Sequence, residues 1–182
     1  MPATAAAEYP VDLDECVTLP NQQRLRIRAL VRCEEGGIRD LFARSSPRTR
    51  YLRFLSPFPT VPDSVIQLLA CVDYRRRLAL VAEYQDGRDA EVVGLGSFAA
   101  IDEHHAEVSL AVRDDWQRQR IGTALASRIL QAAESRGFYR FTAHVLGENV
   151  AIRKLIDRLS NVVSRRSSGG VSELVFVRRP TT

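Results

Sequence analysis

The sequence predicts an α/β fold, and three observations carry that expectation. Stretches that alternate apolar and polar residues are interleaved with stretches whose apolar residues recur at three and four. Read along the chain, the order is β, α, α, β, β, β, α, β, α, β, β. One stretch, residues 107–130 (EVSLAVRDDWQRQRIGTALASRIL), passes from a strand through a tight basic turn into a helix.

Each element has its own signal. Residues 1–7 are small and apolar, without a basic lead or a long apolar core, so they read as a frayed tail rather than a signal peptide. Residues 18–24 read as a turn, so 1–23 is a tail and lead-in and 24–182 a single domain. Residues 25–31 (LRIRALV) alternate as a strand. Residues 35–44 carry Ile38, Leu41 and Phe42 as a helical stripe. Ser45, Ser46 and Pro47 break that helix and can open the next turn or helix. Residues 48–54 (RTRYLRF) are aromatic and basic at once. Pro57, Pro59 and Pro62 stiffen the connection that follows. Asp63 or Ser64 caps a helix to about Ala70.

Residues 78–83 read as a buried strand, 85–89 as a turn and 91–101 as a long strand. Gly94 and Gly96 inside it mark a bulge or a close backbone approach. In the Glu107 strand, Val108, Leu110 and Val112 face one way and Glu107 the other. A helix follows to about Ser135, with Gly137 placed as its C-cap. Residues 141–145 form a strand, and Glu148-Asn149 opens a helix to about Leu159. Residues 161–164 and 174–177 are the last strands, paired across a loop at 167–170.

Composition narrows the class. A length of 182 residues, 45% hydrophobic and 26% charged, suits a globular domain. No apolar run approaches the roughly 18–20 residues of a membrane span, so no membrane partner is expected. Cys16, Cys33 and Cys71 lie far apart and show neither metal-ligand nor disulfide spacing. No metal is expected, and a reducing cytoplasm is. The net charge is +4 with a pI near 9.3, and Lys154 is the only lysine. Compositional bias accounts for most of that charge; attraction of a polyanionic ligand is the functional reading. Nucleic acid is not expected, because no basic stripe carries interleaved aromatics.

The strand–turn–helix stretch carries the chemistry. A helix that opens with Gln119, Arg120 and Gly122 before its apolar stripe offers free N–H groups and the positive end of its dipole. That suits phosphate or pyrophosphate. A carboxylate, Glu107, stands on the strand before it.

This segment resembles the acyl-CoA-binding motif of the GNAT N-acetyltransferase superfamily, written Q/R-x-x-G-x-G/A. Gln119 to Ala124 match it formally. A second register, W-Q-x-x-G-I-G-x-A-L, aligns Trp116, Gln117, Ile121, Gly122, Ala124 and Leu125 as a block, with Arg120 in place of the first glycine. That guanidinium either crowds the loop or binds a phosphate. The resemblance covers roughly residues 24–177. It implies a GNAT-type mixed, mostly antiparallel sheet with helices on both faces. Two splayed central parallel strands, here the Glu107 and Phe141 segments, receive the thioester. The N-terminal third, with S-P-R-T-R-Y-L-R-F near residues 46–54, resembles the Pat-type protein lysine acetyltransferases of bacteria. Arg28-Ala29-Leu30 departs from their usual R-P-I.

The resemblance implies an acetyl-CoA-dependent N-acetyltransferase that transfers directly to an amine, most simply a protein lysine, as a monomer or homodimer. Glu107 matches the Pat-type catalytic glutamate. As base it takes the proton of an amine that is mostly charged at neutral pH, a task that burial of the carboxyl favours. Val112 and Arg113 pair by backbone with the pantetheine arm, and Leu110 belongs to the same donor-binding set. Gln117, Arg118, Gln119, Arg120, Gly122 and Thr123 surround the pyrophosphate. Asn149 contacts CoA or a water, and the same residue reads as a helix N-cap.

His104, His105 and His144 are the alternative bases. Ile156 stands where many family members carry a tyrosine acid, and Ser160-Asn161 replaces a frequent Gly-Phe. A thiolate of pKa about 8.5 still leaves readily. Arg48, Arg50, Tyr51, Arg53 and Phe54 either line the acceptor side or pack the helix. Two further readings stay open: an acetyltransferase of a small amine such as an amino acid, polyamine or aminoglycoside, and a non-catalytic acyl-CoA sensor.

Overall fold

Eight strands form one sheet in the order β1-β2-β3-β4-β5-β6-β8-β7. The computed structural model describes residues 7–87 and 89–179. The strands are β1 (Glu15–Thr18), β2 (Arg24–Ala29), β3 (Arg77–Asp86), β4 (Asp89–Ala100), β5 (His105–Val112), β6 (Arg140–Leu146), β7 (Ser160–Ser168) and β8 (Val171–Arg178). The helices are α1 (Gly36–Ala43), α2 (Pro47–Phe54), α3 (Asp63–Ala70), α4 (Ile121–Glu134) and α5 (Val150–Leu159). Every neighbouring pair is antiparallel except β5 and β6.

That parallel pair is short. Its register holds only His105 to Arg140, Ala106 to Phe141 and Glu107 to Thr142. Beyond Glu107 the two strands part. β5 stays with β4 as far as Val112, and β6 stays with β8 as far as Leu146. The predicted splay of two central parallel strands is therefore what the chain adopts, and it opens immediately after the proposed base.

The predicted irregularity in β4 is both a bulge and a close approach. Ala82 pairs with Gly94 but Glu83 pairs with Val92, which leaves Val93 as the extra residue. The bulge reverses the faces on its two sides. A Cβ on Gly37 of α1 would meet Val92 at 2.6 Å, while one on Gly94 would meet Leu125 of α4 at 2.9 Å. Thus α1 and α4 cover opposite faces of the sheet, and α4 lies close on the Gly94 and Gly96 backbone. Phe42, Phe141, Phe176, Leu80 and Leu95 are among the fully buried side chains. Phe141 and Phe176 stack across β6 and β8 with ring centroids 5.9 Å apart.

Several expectations shift. Residues 15–18, expected in the lead-in, form edge strand β1 against β2. Residues 47–54 form a full helix: Ser46 accepts the Thr49 N–H at 3.1 Å as N-cap, and Pro47 takes the first turn. The last hairpin is longer than expected, with Gly169 and Gly170 turning it at positive φ. Residues 1–6, in the expected tail, lie outside the described residues.

Candidate active site

The parting of β5 and β6 opens a cavity of about 660 Å³. Its walls are β5, β6, α2, the turn into α4, the first turns of α4, and α5. Glu107, Leu110, Val112, Gln117, Arg118, Arg120, Gly122, Thr123 and Asn149, all anticipated as site residues, line it together. Gln119 does not line it. Its side chain turns away, accepting from Asn21 Nδ2 at 3.0 Å and donating to the Asp115 carbonyl at 3.4 Å.

One wall is made of backbone. The Arg113 N–H donates to the Val93 carbonyl at 2.9 Å, and its carbonyl accepts from the Trp116 N–H at 3.0 Å. Arg113 is therefore committed to the protein, which corrects its expected pairing with a pantetheine arm. Its guanidinium is buried and grips Glu91 and Asp115 in forked bonds of 2.6–3.2 Å. An antiparallel ladder alternates, so if residue 113 bonds toward β4, the polar groups of Val108, Leu110 and Val112 turn toward the gap. The Leu110 and Val112 side chains point to the α4 face, where a Cβ on Gly122 would meet Leu110 at 3.4 Å.

The turn into α4 has the chemistry to cradle an anion. Among the described residues, the backbone N–H groups of 118–123 donate to no protein acceptor, and the first α4-type bond runs from Ala124 to Arg120. Arg120 is the helix cap at φ 67°, and Arg118 sits at φ 62°. The backbone at residue 120 thus takes the left-handed conformation that glycine accepts freely. An arginine holds it here, at a cost of about 1–2 kcal/mol. Arg118, Arg120, Lys154 and Arg158 add positive charge around the same mouth. Arg158 also donates to the Thr123 hydroxyl, tying α5 to α4. Sequence reasoning passed over Lys154 and Arg158; their i,i+4 spacing on α5 was the available signal.

Gln117 and Asp114 couple this turn to α2. Gln117 Nε2 donates to the Val112 carbonyl at 3.0 Å and to Thr49 Oγ1 at 3.2 Å. Asp114 accepts from the Ser46 N–H and hydroxyl, both at 2.7 Å, and from the Thr49 hydroxyl at 2.8 Å. Burial by itself would raise the Asp114 pKa. The Ser46 and Thr49 donors outweigh it and hold the carboxyl below its ordinary value.

The other wall is made of side chains. Glu107 is half-exposed at the point where β5 and β6 separate, rather than buried as its expected role favoured. His144 Nδ1 lies 3.3 Å from Glu107 Oε1, and its Nε2 lies 3.6 Å from Glu173 Oε2. Register explains the row: β6 lies between β5 and β8, and His144 pairs with Glu173. Of the α2 candidates, Arg53 and Phe54 line the cavity. Phe54 packs on Phe42 and Phe58 at 4.9 and 5.6 Å. Arg50 is structural, donating to the Phe42, Ser45 and Phe58 carbonyls at 2.6–3.2 Å. Arg48 and Tyr51 are exposed outside the cavity.

Asn149 caps α5, as expected, by accepting from the Ile152 N–H at 3.3 Å, and it also lines the cavity. Ile156 is buried in the cavity wall. The Ser160 hydroxyl donates to the Ile156 carbonyl at 2.6 Å. His104 and His105 lie elsewhere, around a second recess with Tyr139 and Arg140. His105 Nε2 is 2.7 Å from Thr142 Oγ1, and His104 Nδ1 is 3.0 Å from the Gly137 carbonyl. Among the described residues, no group of three His, Cys, Asp or Glu side chains is placed to hold a metal. Nor is any helix long and apolar enough to cross a membrane.

A gap between splayed parallel strands, next to a strand–turn–helix with unbonded N–H groups, is the arrangement the sequence resemblance implied. Residues 39–160 match the Acetyltransferase (GNAT) family, and the chain belongs to that family. It is 35% identical over 137 residues to acetyltransferase Pat of Mycolicibacterium smegmatis, a match covering 72% of this chain and 39% of Pat. This chain therefore spans well under half of that relative. It is 26% identical over 149 residues to acetyltransferase PA5475 of Pseudomonas aeruginosa, covering 81% and 80% of the two. The crystal structure of the GNAT domain of S. lividans PAT superimposes with a TM-score of 0.83 at 25% identity, covering 93% of this chain and 99% of that one. The fold and the acetyltransferase class follow from these matches.

Proposed function

We propose that this protein transfers the acetyl group of acetyl-CoA directly to an amine, with a protein lysine as acceptor and Glu107 as base. The observation that carries the reading is one cavity lined both by Glu107 and by Arg118, Arg120, Gly122 and Thr123, whose backbone N–H groups have no acceptor among the described residues. The pyrophosphate sits on those N–H groups, where the helix dipole and four cationic side chains favour negative charge. The pantetheine arm runs along the open edge of Val108, Leu110 and Val112 and extends the sheet by one strand. Its thioester then ends beside Glu107, where the two strands part.

The acceptor ammonium enters past the Glu107, His144 and Glu173 row, which is acidic and suits a lysine. Glu107 takes the proton and the amine nitrogen attacks the thioester carbonyl. The carbon–sulfur bond breaks, and the second proton of the attacking nitrogen passes to the departing thiolate, leaving the amide and CoA thiol. His144 bridges the two carboxylates and provides the next station for the proton. The similarity to Pat supports protein lysine over a small amine. Cys16, Cys33 and Cys71 are free and exposed, which suits a reducing compartment, and we place the protein in the cytoplasm.

The test is CoA thiol release from acetyl-CoA over a panel of lysine-bearing proteins, peptides and small amines. Turnover on protein lysine, lost in Glu107→Gln with CoA binding kept, is the expected result. Turnover confined to small amines would replace the acceptor assignment. CoA binding without turnover on any amine would make the chain an acyl-CoA sensor.

A further inference from the structure

Arg53 differs from the other arginines that line the cavity, Arg118, Arg120 and Arg158, in being half-buried in its wall where they are exposed. Its Nε is buried without a hydrogen-bond partner. Among the described residues, no hydrogen bond or ion pair holds its guanidinium, and its recorded contact is the Phe54 ring at 5.0 Å. Arg32 also has a bare Nε, but Arg32 Nη2 donates to the Ala7 carbonyl at 2.8 Å and its guanidinium lies over Tyr74 at 4.9 Å. Arg158 donates to the Thr123 hydroxyl. Among the described residues Arg118 and Arg120 hold no recorded partner either, but they are exposed to solvent at the mouth. Arg53 is set into the wall with its donors unspent.

A half-buried cation with no hydrogen-bonded counter-charge is costly, and removing water from it makes each later partner stronger. Burial pushes the Arg53 pKa down to about 10, with the Glu107 carboxylate pulling the other way, so the group stays charged at neutral pH. Glu107 does not neutralise it by contact, since the hydrogen-bond partner recorded for Glu107 is His144. Nor does Arg53 belong to the phosphate end, which has its own N–H groups and its own cations. It stands on the Glu107 side, in an α2 wall otherwise made of Thr49, Leu52, Phe54 and Leu55.

We propose that Arg53 is a carboxylate subsite: its planar fork holds a carboxylate carried by one of the two reactants beside the reacting carbonyl. Two sources share that chemistry. One is the terminal carboxylate of a dicarboxylic acyl-CoA, which would widen the donor range beyond acetyl. The other is a carboxylate adjacent to the acceptor amine. The inference deepens the acetyltransferase reading and rests on it for the positions of donor and acceptor.

The experiment has two arms, each on wild type, Arg53→Met and Arg53→Lys. In the first, calorimetry compares two CoA thioethers that cannot transfer, carboxypropyl-CoA and propyl-CoA. In the second, kcat/KM with acetyl-CoA is compared for an amine bearing a neighbouring carboxylate and for its amide. Wild type is expected to prefer the carboxylate in one arm by on the order of ten- to a hundredfold, as for a charge-assisted bond. Preference in the first arm marks the acyl group, and in the second the acceptor.

Arg53→Met is expected to erase that preference while melting no lower than wild type, because it removes an uncompensated charge. Arg53→Lys, which keeps the charge but not the fork, is expected to retain part of it. No preference in either arm, or one that survives Arg53→Met, would overturn the subsite while tight CoA binding left the acetyltransferase reading intact. Failure of CoA itself to bind would overturn both.

Discussion

At one end of the cleft, the proposed function assigns the ligand to backbone N–H groups between residues 118 and 123. At the other it assigns it to the side chains of Arg53, Glu107 and His144, carried by α2, β5 and β6, with Glu173 of β8 behind His144. The first end depends on conformation: a left-handed residue 120, a small residue 122 and a helix that begins at Ile121. The second depends on register, because it exists only where β5 and β6 part after Glu107. Donor binding and chemistry are thus assigned to different kinds of structure, and substitutions should separate them.

The largest separation is expected at Glu107. Glu107→Gln should lower turnover on the order of 10²–10⁴-fold, the usual worth of a general base, while CoA affinity stays within about twofold. Stopped-flow transfer and calorimetry on the same preparation check both halves. Equal losses in both would collapse the distinction between the two ends. Gly122→Val should do the reverse. A branched side chain enters where a Cβ already meets Leu110 at 3.4 Å. Overpacking of about 1–3 kcal/mol would weaken CoA binding roughly five- to a hundredfold, with much smaller change in kcat at saturating donor.

Asp114 joins the two ends through Ser46 and Thr49, so Asp114→Ala should disturb both. Losing those bonds should cost about 1–3 kcal/mol of stability, read as a lower Tm. The pH dependence follows from the sign of the shift. The folded carboxyl titrates below its unfolded value of about 3.9, so its contribution is complete above that pH. It is lost as pH falls through the folded pKa. The Tm gap between wild type and Asp114→Ala should therefore be constant near neutrality and close in acid.

The smallest effect is expected at Arg120. Arg120→Gly relieves a left-handed residue and should raise stability by about 1 kcal/mol. If backbone holds the phosphate, CoA affinity should fall no more than about fivefold, the worth of an exposed ion pair. A much greater loss would transfer the cradle's role to the guanidinium.

The backbone end was legible in the sequence because everything that makes it is contiguous. The change of period from two to 3.6 near Ile121, the basic turn and Gly122 lie within a few residues of one another. The side-chain end was not. Glu107 could be named by its motif, but its neighbours His144 and Glu173 come from two other strands, and only the β6–β8 register sets them in a row. Helix α2 is hard to read because PRTRYLRF shows arginines where an apolar stripe would signal a helix. Ser46 and Pro47, its N-cap and first residue, were the readable part. Strand β1 was hidden for a related reason: three of its four residues are exposed, so it has no alternation to show. Gln119 fits the motif in one register, yet the fold turns its side chain toward Asn21, a residue 98 positions away.

The most direct test of the account is amide hydrogen exchange across the chain with and without saturating CoA. Among the described residues the N–H groups of 118–123 have no protein acceptor; they should exchange fast in the free protein, then slow markedly when CoA is bound, in wild type and Glu107→Gln alike. Unchanged exchange at those residues under saturating CoA would contradict the backbone cradle and, with it, the division of the cleft into two ends.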